Sequence, residues 1–195
     1  LEVVQRMMRA FSEARPDIEV VVRSFPFSDP SGGVRTHQTD VALVWAPLDD
    51  TGLGLEPLLA SDMIALLPPD HPFTALDAVD ADALAREPQL RISGRHDPVS
   101  NDYWNFAAHR EYAPASVGAT ITGFDEMFLG IRAGRAVCPC PDKLASSLPT
   151  TGLAMRPIRG MRPAVVTACW RAGDRRPVVQ AFVDCARHAA KALRE

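Results

Sequence analysis

The chain has 195 residues, 47% of them apolar and 23% charged, which is enough to bury a sizeable core as one large domain or two small lobes. A formal net charge of −3 supplies no field that would draw the chain to phosphate backbones or anionic lipid, so DNA binding is not expected from these residues. No apolar run approaches the roughly 20 residues needed to cross a bilayer, and Leu1 to Arg6 lack the basic start and unbroken apolar centre of a secretion signal; a cytoplasmic protein with no membrane partner is expected.

Val3, Val4, Met7, Met8 and Phe11 recur at helical spacing and give an opening amphipathic helix that stops before Pro16. Ile18 to Val22 reads as a strand, the stretch from Phe25 to Gly33 as a loop rich in Pro, Ser, Gly and Asp, and Val41 to Trp45 as the next strand. The near-continuous apolar character of Val41 to Trp45 suits a parallel sheet covered on both faces, which sets an α/β expectation over an antiparallel sandwich. The apolar run Met63 to Pro69 then closes on Asp70-His71-Pro72, a turn in which Pro72 fixes the chain direction.

Ala81 to Ala85 reads as a short helix, Gln89 to Ile92 as a strand, and Asn101 to Tyr112 as a helix with Ser100 as its cap. Val117 to Ile121 is the following strand. Thr122 is expected to cap a helix that turns Met127, Phe128 and Ile131 inward and stops near Gly134, before a strand from Ala136 to Cys138 that completes a second βαβ unit. Strands at Leu153 to Met155 and Ala164 to Trp170 precede a last helix from Pro177, with Val178, Phe182, Cys185 and Ala189 as its inward stripe.

Little in the chain points to catalysis or metal binding. Cys138, Cys140, Cys169 and Cys185 lie in apolar settings and are expected to be buried free thiols, and the single residue between Cys138 and Cys140 is poor ligand spacing. His37, His71, His96, His109 and His188 are scattered without the i, i+4 pairing of a metal site. No Gly-x-Ser-x-Gly elbow, phosphate loop or dinucleotide fingerprint follows a strand, so neither an enzyme nor a cofactor is expected.

In this order the elements resemble the effector-binding domain of LysR-type transcriptional regulators, which shares its architecture with type 2 periplasmic solute-binding proteins. The resemblance spans the whole chain and rests on phrases in register: Phe11 with Pro16, Thr39-Asp40-Val41-Ala42-Leu43, Leu55-Glu56-Pro57-Leu58-Leu59, Leu67-Pro68-Pro69-Asp70-His71-Pro72, Ala133-Gly134-Arg135-Ala136-Val137-Cys138-Pro139, and Phe182-Val183. The chain departs from the family in lacking the usual Gly two residues before Asp40 and in reading Ala-Gly-Arg-Ala at 133–136. The resemblance implies that the family's DNA-binding helix-turn-helix and the first strand of lobe one are missing from this chain.

It further implies two Rossmann-like lobes joined by two crossover strands, lobe one from residues 1–65 and 165–195 and lobe two from 66–164, with hinges near Ile64 to Leu67 and Val165 to Thr167. A small-molecule effector, expected to be a carboxylate, would sit between the lobes, where helix N-termini favour anions. The residues expected around it are Phe27, Ser28 and Asp29 after the first strand, Trp45 at the end of the second, Ser93, Arg95, Asp97, Asn101 and Trp104 around the 93–104 loop and helix, and Thr122, Phe124 and Asp125 opposite. Arg95 is the natural clamp, because a guanidinium offers two parallel donors to a carboxylate. Homodimers or tetramers, and DNA contact only through the missing N-terminal domain, are implied as well. A transport-associated solute-binding protein would have the same bilobal fold.

Overall fold

The computed structural model describes residues 2–193; Leu1, Arg194 and Glu195, which the expected first lobe includes, lie outside the described residues. In chain order the elements are α1 (Glu2–Ala14), β1 (Val41–Ala46), β2 (Leu53–Ser61), β3 (Met63–Leu67), β4 (Val79–Asp80), α2 (Ala81–Leu84), β5 (Gln89–Ile92), α3 (Pro98–Trp104), β6 (Val117–Ile121), α4 (Phe124–Arg132), β7 (Cys138–Pro141), α5 (Asp142–Ala145), β8 (Ala154–Arg159), β9 (Ala164–Arg171) and α6 (Pro177–Lys191). Short 3-10 turns occupy Pro72–Ala75 and Ala107–Arg110.

Val3, Met7 and Phe11 bury one face of α1, and that face meets α6, where the Phe11 and Phe182 rings stand edge to face with centroids 4.9 Å apart. Both helices belong with a three-stranded antiparallel sheet of order β1-β9-β2, in register from Val41 opposite Trp170 to Ala46 opposite Val165. Pro57 cannot donate to the ladder, and β2 shifts register between Pro57 and Leu59.

The larger unit is a mixed sheet. Its strands run β4-β8-β3-β7, and a parallel bridge from Gln89 to Val137 continues it into the parallel pair β5-β6. Side chains of β3 alternate: Leu66 enters a core with Met127, Phe128 and Ile131 of α4, while Ala65 and Leu67 enter another with Leu84 and Phe106. Both faces of the sheet are therefore covered, which is why Met63 to Leu67 is apolar at every position. Two connections join the units, Asp62 between β2 and β3 and residues 160–163 between β8 and β9.

The α/β expectation holds, and several local expectations are corrected. Ile18 to Val22 is not a strand: it runs without strand pairing, with Val21 and Val22 at 68% and 77% exposure. A strand needs a neighbour, and among the described residues β1 is paired on one side only, by β9. The sheet holding β1 is antiparallel, because β9 returns from the other unit rather than through a helix. The cap of α3 is Asp97, whose carboxylate accepts the Ser100 N–H at 2.8 Å, with Pro98 at the first helical position; Ser100 lies inside the helix. Gly123, not Thr122, is the N-cap of α4. The strand expected at 136–138 runs from Cys138 to Pro141. On α6 the buried residues are Val179, Val183, Ala186, Ala189 and Ala190, so the inward stripe sits one position later than expected at all but Ala189.

Candidate functional site

Three loops meet where the two units face each other: the 25–33 loop before β1, the 93–97 loop after β5, and the turn at 122–123 after β6. Residue 27 is the centre of the meeting. Its N–H donates to the Thr122 carbonyl at 3.4 Å, its carbonyl accepts from Arg95 Nε at 2.8 Å, and its ring stands edge-on to Phe124 with centroids 4.7 Å apart. A second tie comes from Asp97, whose Oδ2 accepts the Asp49 N–H at 3.0 Å while Oδ1 caps α3. At 9% exposure Asp97 is a buried charge that is tolerated because both oxygens are hydrogen-bonded.

A cavity of about 920 Å³ opens at this junction. On one side it runs along Met7 and Phe11 of α1, the extended 18–24 segment and β1; on the other it reaches Arg95, Trp104, Phe124, Met127 and Cys138. Arg95 Nη1 is buried with no hydrogen-bond partner among the described residues, and the same is true of Ser100 Oγ. Burial pushes the Arg95 guanidinium down to about 10, against the pull of nearby Asp97, which leaves it fully charged at neutral pH. Glu19, Arg23, Asp29 and Asp40 also line the cavity, but around Arg95 its wall is apolar and the cation's donors are only partly used, a chemistry suited to a small anion with an apolar body.

Of the residues singled out from the sequence, Phe27, Asp29, Trp45, Arg95, Trp104 and Phe124 line the cavity. Asp29 is already engaged: its carboxylate accepts from the Ser31 N–H and hydroxyl and the Gly33 N–H, a turn that shapes the 25–33 loop. Ser28, Ser93, Asp97, Asn101, Thr122 and Asp125 stand outside its lining. Ser28 faces Gly94, and Ser93 is exposed with its N–H given to the Ile121 carbonyl. Asn101 reaches the Arg95 carbonyl at 3.5 Å. Thr122 gives both its N–H and its hydroxyl to the Glu126 carboxylate, bonds that hold the Glu126 carboxyl below its ordinary value. Asp125 lies exposed in the first turn of α4.

Sequence reasoning missed Ser100, Met127 and Cys138 as cavity residues. Ser100 is visible as an inward position once α3 is started at Pro98, whereas Met127 and Cys138 carry the same apolar signature as any core residue. Among the described residues no group of three or more His, Cys, Asp or Glu could hold a metal ion.

The four cysteines are free, and burial pushes the Cys140 and Cys169 thiols up to about 12 and about 11. A raised thiol keeps its proton in the folded state after the unfolded chain has lost it. The associated stability is fully present below about pH 9 and falls as pH rises toward those values. Urea unfolding should show this as a loss between pH 8 and pH 10.5 that is about 1–2 kcal/mol smaller in Cys140→Ala. An identical loss in both proteins would contradict the burial of that thiol.

A cavity between two α/β units is a common place for a small-molecule site. The family profile of the LysR substrate binding domain matches residues 1–191, and the chain belongs to that family. The HTH-type transcriptional regulator MetR of Escherichia coli (strain K12) is 24% identical over 185 residues, which cover 92% of this chain and 56% of MetR. The chain thus spans about half the length of the curated relative it matches. Among solved structures, the effector-binding domain of a BenM variant superposes with a TM-score of 0.74 at 13% identity, over 98% of this chain and 89% of that one. The reduced OxyR regulatory domain from Pseudomonas aeruginosa superposes with a TM-score of 0.65 at 18% identity, over 96% and 91%. At these identities the likeness is one of fold. No described helix is long and apolar enough to cross a membrane.

Proposed function

We propose that this chain is the ligand-sensing part of a LysR-type transcriptional regulator and that it binds a small anionic organic effector, a carboxylate, between a first lobe that holds β1, β9 and β2 and a second lobe that holds β3 to β8. One observation carries the reading: the charged, largely desolvated Arg95 faces an apolar cavity between the units with Nη1 buried and unpartnered. A buried donor on a cation is costly to leave unmade, and an incoming carboxylate supplies the acceptor. The family supports the role, and the BenM effector-binding domain with its effector benzoate is a relative in fold that holds such a ligand.

The effector acts by binding one relative arrangement of the lobes better than another, and the equilibrium shifts only by that difference in affinity. In a longer chain, assembled as a homodimer or tetramer, the shift would bias DNA binding. Full-length CbnR has been solved with its target DNA, and it shares this fold at a TM-score of 0.70.

Thermal unfolding in the presence of small carboxylates, each paired with its carboxamide, tests the reading. An acid present at 100 times its Kd adds about 2.7 kcal/mol, or roughly 5–10 °C for a domain of this size, while its amide adds little. Equal shifts from acid and amide, or none from any acid, would sink it.

A further inference from the structure

Phe27 makes with lobe two the contacts that a bound acid would make. Its ring lies edge-on to Phe124 and packs against the core built by Met127 and Phe128, and its carbonyl oxygen takes the Arg95 Nε hydrogen bond at 2.8 Å. Its N–H reaches the Thr122 carbonyl, so both backbone polar groups of this residue are held by the opposite unit. The match is incomplete at one point. A single carbonyl oxygen leaves Arg95 Nη1 buried and unpartnered, whereas the two oxygens of a carboxylate can satisfy two guanidinium donors.

We propose that Phe27 is a built-in occupant of the effector site, and that the effector is an apolar monocarboxylate that displaces it, placing a ring or chain against Phe124 and a carboxylate on Arg95. The inference rests on the anion-binding reading above and goes further in naming a competitor and a ligand shape. The shape comes from Phe27 itself, whose ring is separated from its carbonyl carbon by two carbons, the spacing of 3-phenylpropanoate. The exchange is favourable because a neutral carbonyl that meets one guanidinium donor is traded for an anion that pairs with the desolvated cation and can meet two of its donors. Displacing Phe27 also breaks a tie between the 25–29 segment of one unit and β6, α4 and Arg95 of the other. Binding is thereby coupled to the freedom of the two units to move.

Calorimetric titration of the whole chain with 3-phenylpropanoate tests this, with 3-phenylpropanamide as the neutral control. Removing the ring that anchors residue 27 on the opposite unit frees its carbonyl to leave Arg95 and raises the fraction of binding-competent sites, so Phe27→Ala is expected to bind the acid about 10-fold more tightly than the unaltered chain, with Phe27→Leu between them. Arg95→Gln placed in the Phe27→Ala background should abolish the gain. Hydrogen exchange supplies a readout that needs no substitution: the residue 27 amide should lose protection as the acid saturates the unaltered chain. Binding that is equal or weaker in Phe27→Ala and Phe27→Leu, or a residue 27 amide that stays protected at saturation, would overturn the displacement while leaving the anion-binding reading in place. Failure of all these proteins to bind 3-phenylpropanoate would overturn the ligand shape, and the broader acid-against-amide screen decides the wider reading separately.

Discussion

Replacing Gly118 with alanine should lower the thermal midpoint of the chain by about 6–12 °C, corresponding to about 3 kcal/mol for a domain of this size. Gly118 lies in β6, and a Cβ built on it would stand 1.6 Å from the Arg135 carbonyl oxygen and 3.0 Å from Pro88 Cβ. The first obstacle is backbone, so no rotamer change relieves it, and β6 or the 134–137 turn must move. Such movement propagates to the site, because β6 delivers Ile121 to the cavity wall and Thr122 to the Phe27 amide. Gly173→Ala is the matched control: a Cβ there meets nothing within 4 Å, and its cost should fall within about 0.5 kcal/mol. Equal midpoints for the two variants would show that β6 does not pass the 135 carbonyl as closely as described.

Arg95→Gln should weaken binding of an acidic effector by about 10- to 100-fold, the range of one charge-assisted hydrogen bond of about 1.5–3 kcal/mol. Its effect on folding should be small, because the substitution removes the Nε bond to the Phe27 carbonyl but also removes a desolvated charge with an unused buried donor. A binding loss without a matching stability loss separates the role of Arg95 in the site from a role in packing, and titration paired with urea unfolding measures both. An unchanged affinity would remove Arg95 from the site.

Much of the architecture was legible because the local patterns are unambiguous. Gln89–Ile92 and Val117–Ile121 are short β-rich runs between turn residues, and both fold as strands over those bounds. The reading failed where the outcome depends on neighbours. Ile18 to Val22 has a strand's composition, yet composition supplies no hydrogen-bond partners, and the segment runs without strand pairing among the described residues. The start of α3 differs from the expectation for a local reason, since Asp97-Pro98 is itself a cap followed by a first-turn proline and outranks Ser100.

At the site, Arg95, Trp104 and Phe124 could be placed from their positions after strand ends, where open α/β sheets collect ligands. The turn that engages Asp29 with Ser31 and Gly33 is local, whereas the orphaned Ser100 hydroxyl depends on which donors meet which acceptors across elements far apart in sequence, and no local pattern carries that. The place of Phe27 on the opposite unit is of the same kind, since the sequence marks it only as an aromatic residue in a polar loop.

The most direct test of an anion held in the cleft is the side-chain NMR spectrum of the arginines during a titration of the unaltered chain with 3-phenylpropanoate and with shorter carboxylates, the Arg95 signal being identified by its disappearance in Arg95→Gln. The account predicts that the Arg95 N–H resonances shift with the bound fraction and that its guanidinium protons exchange more slowly at saturation, while arginines outside the cavity stay unchanged. An Arg95 signal that does not respond while an acid binds elsewhere on the chain would contradict it.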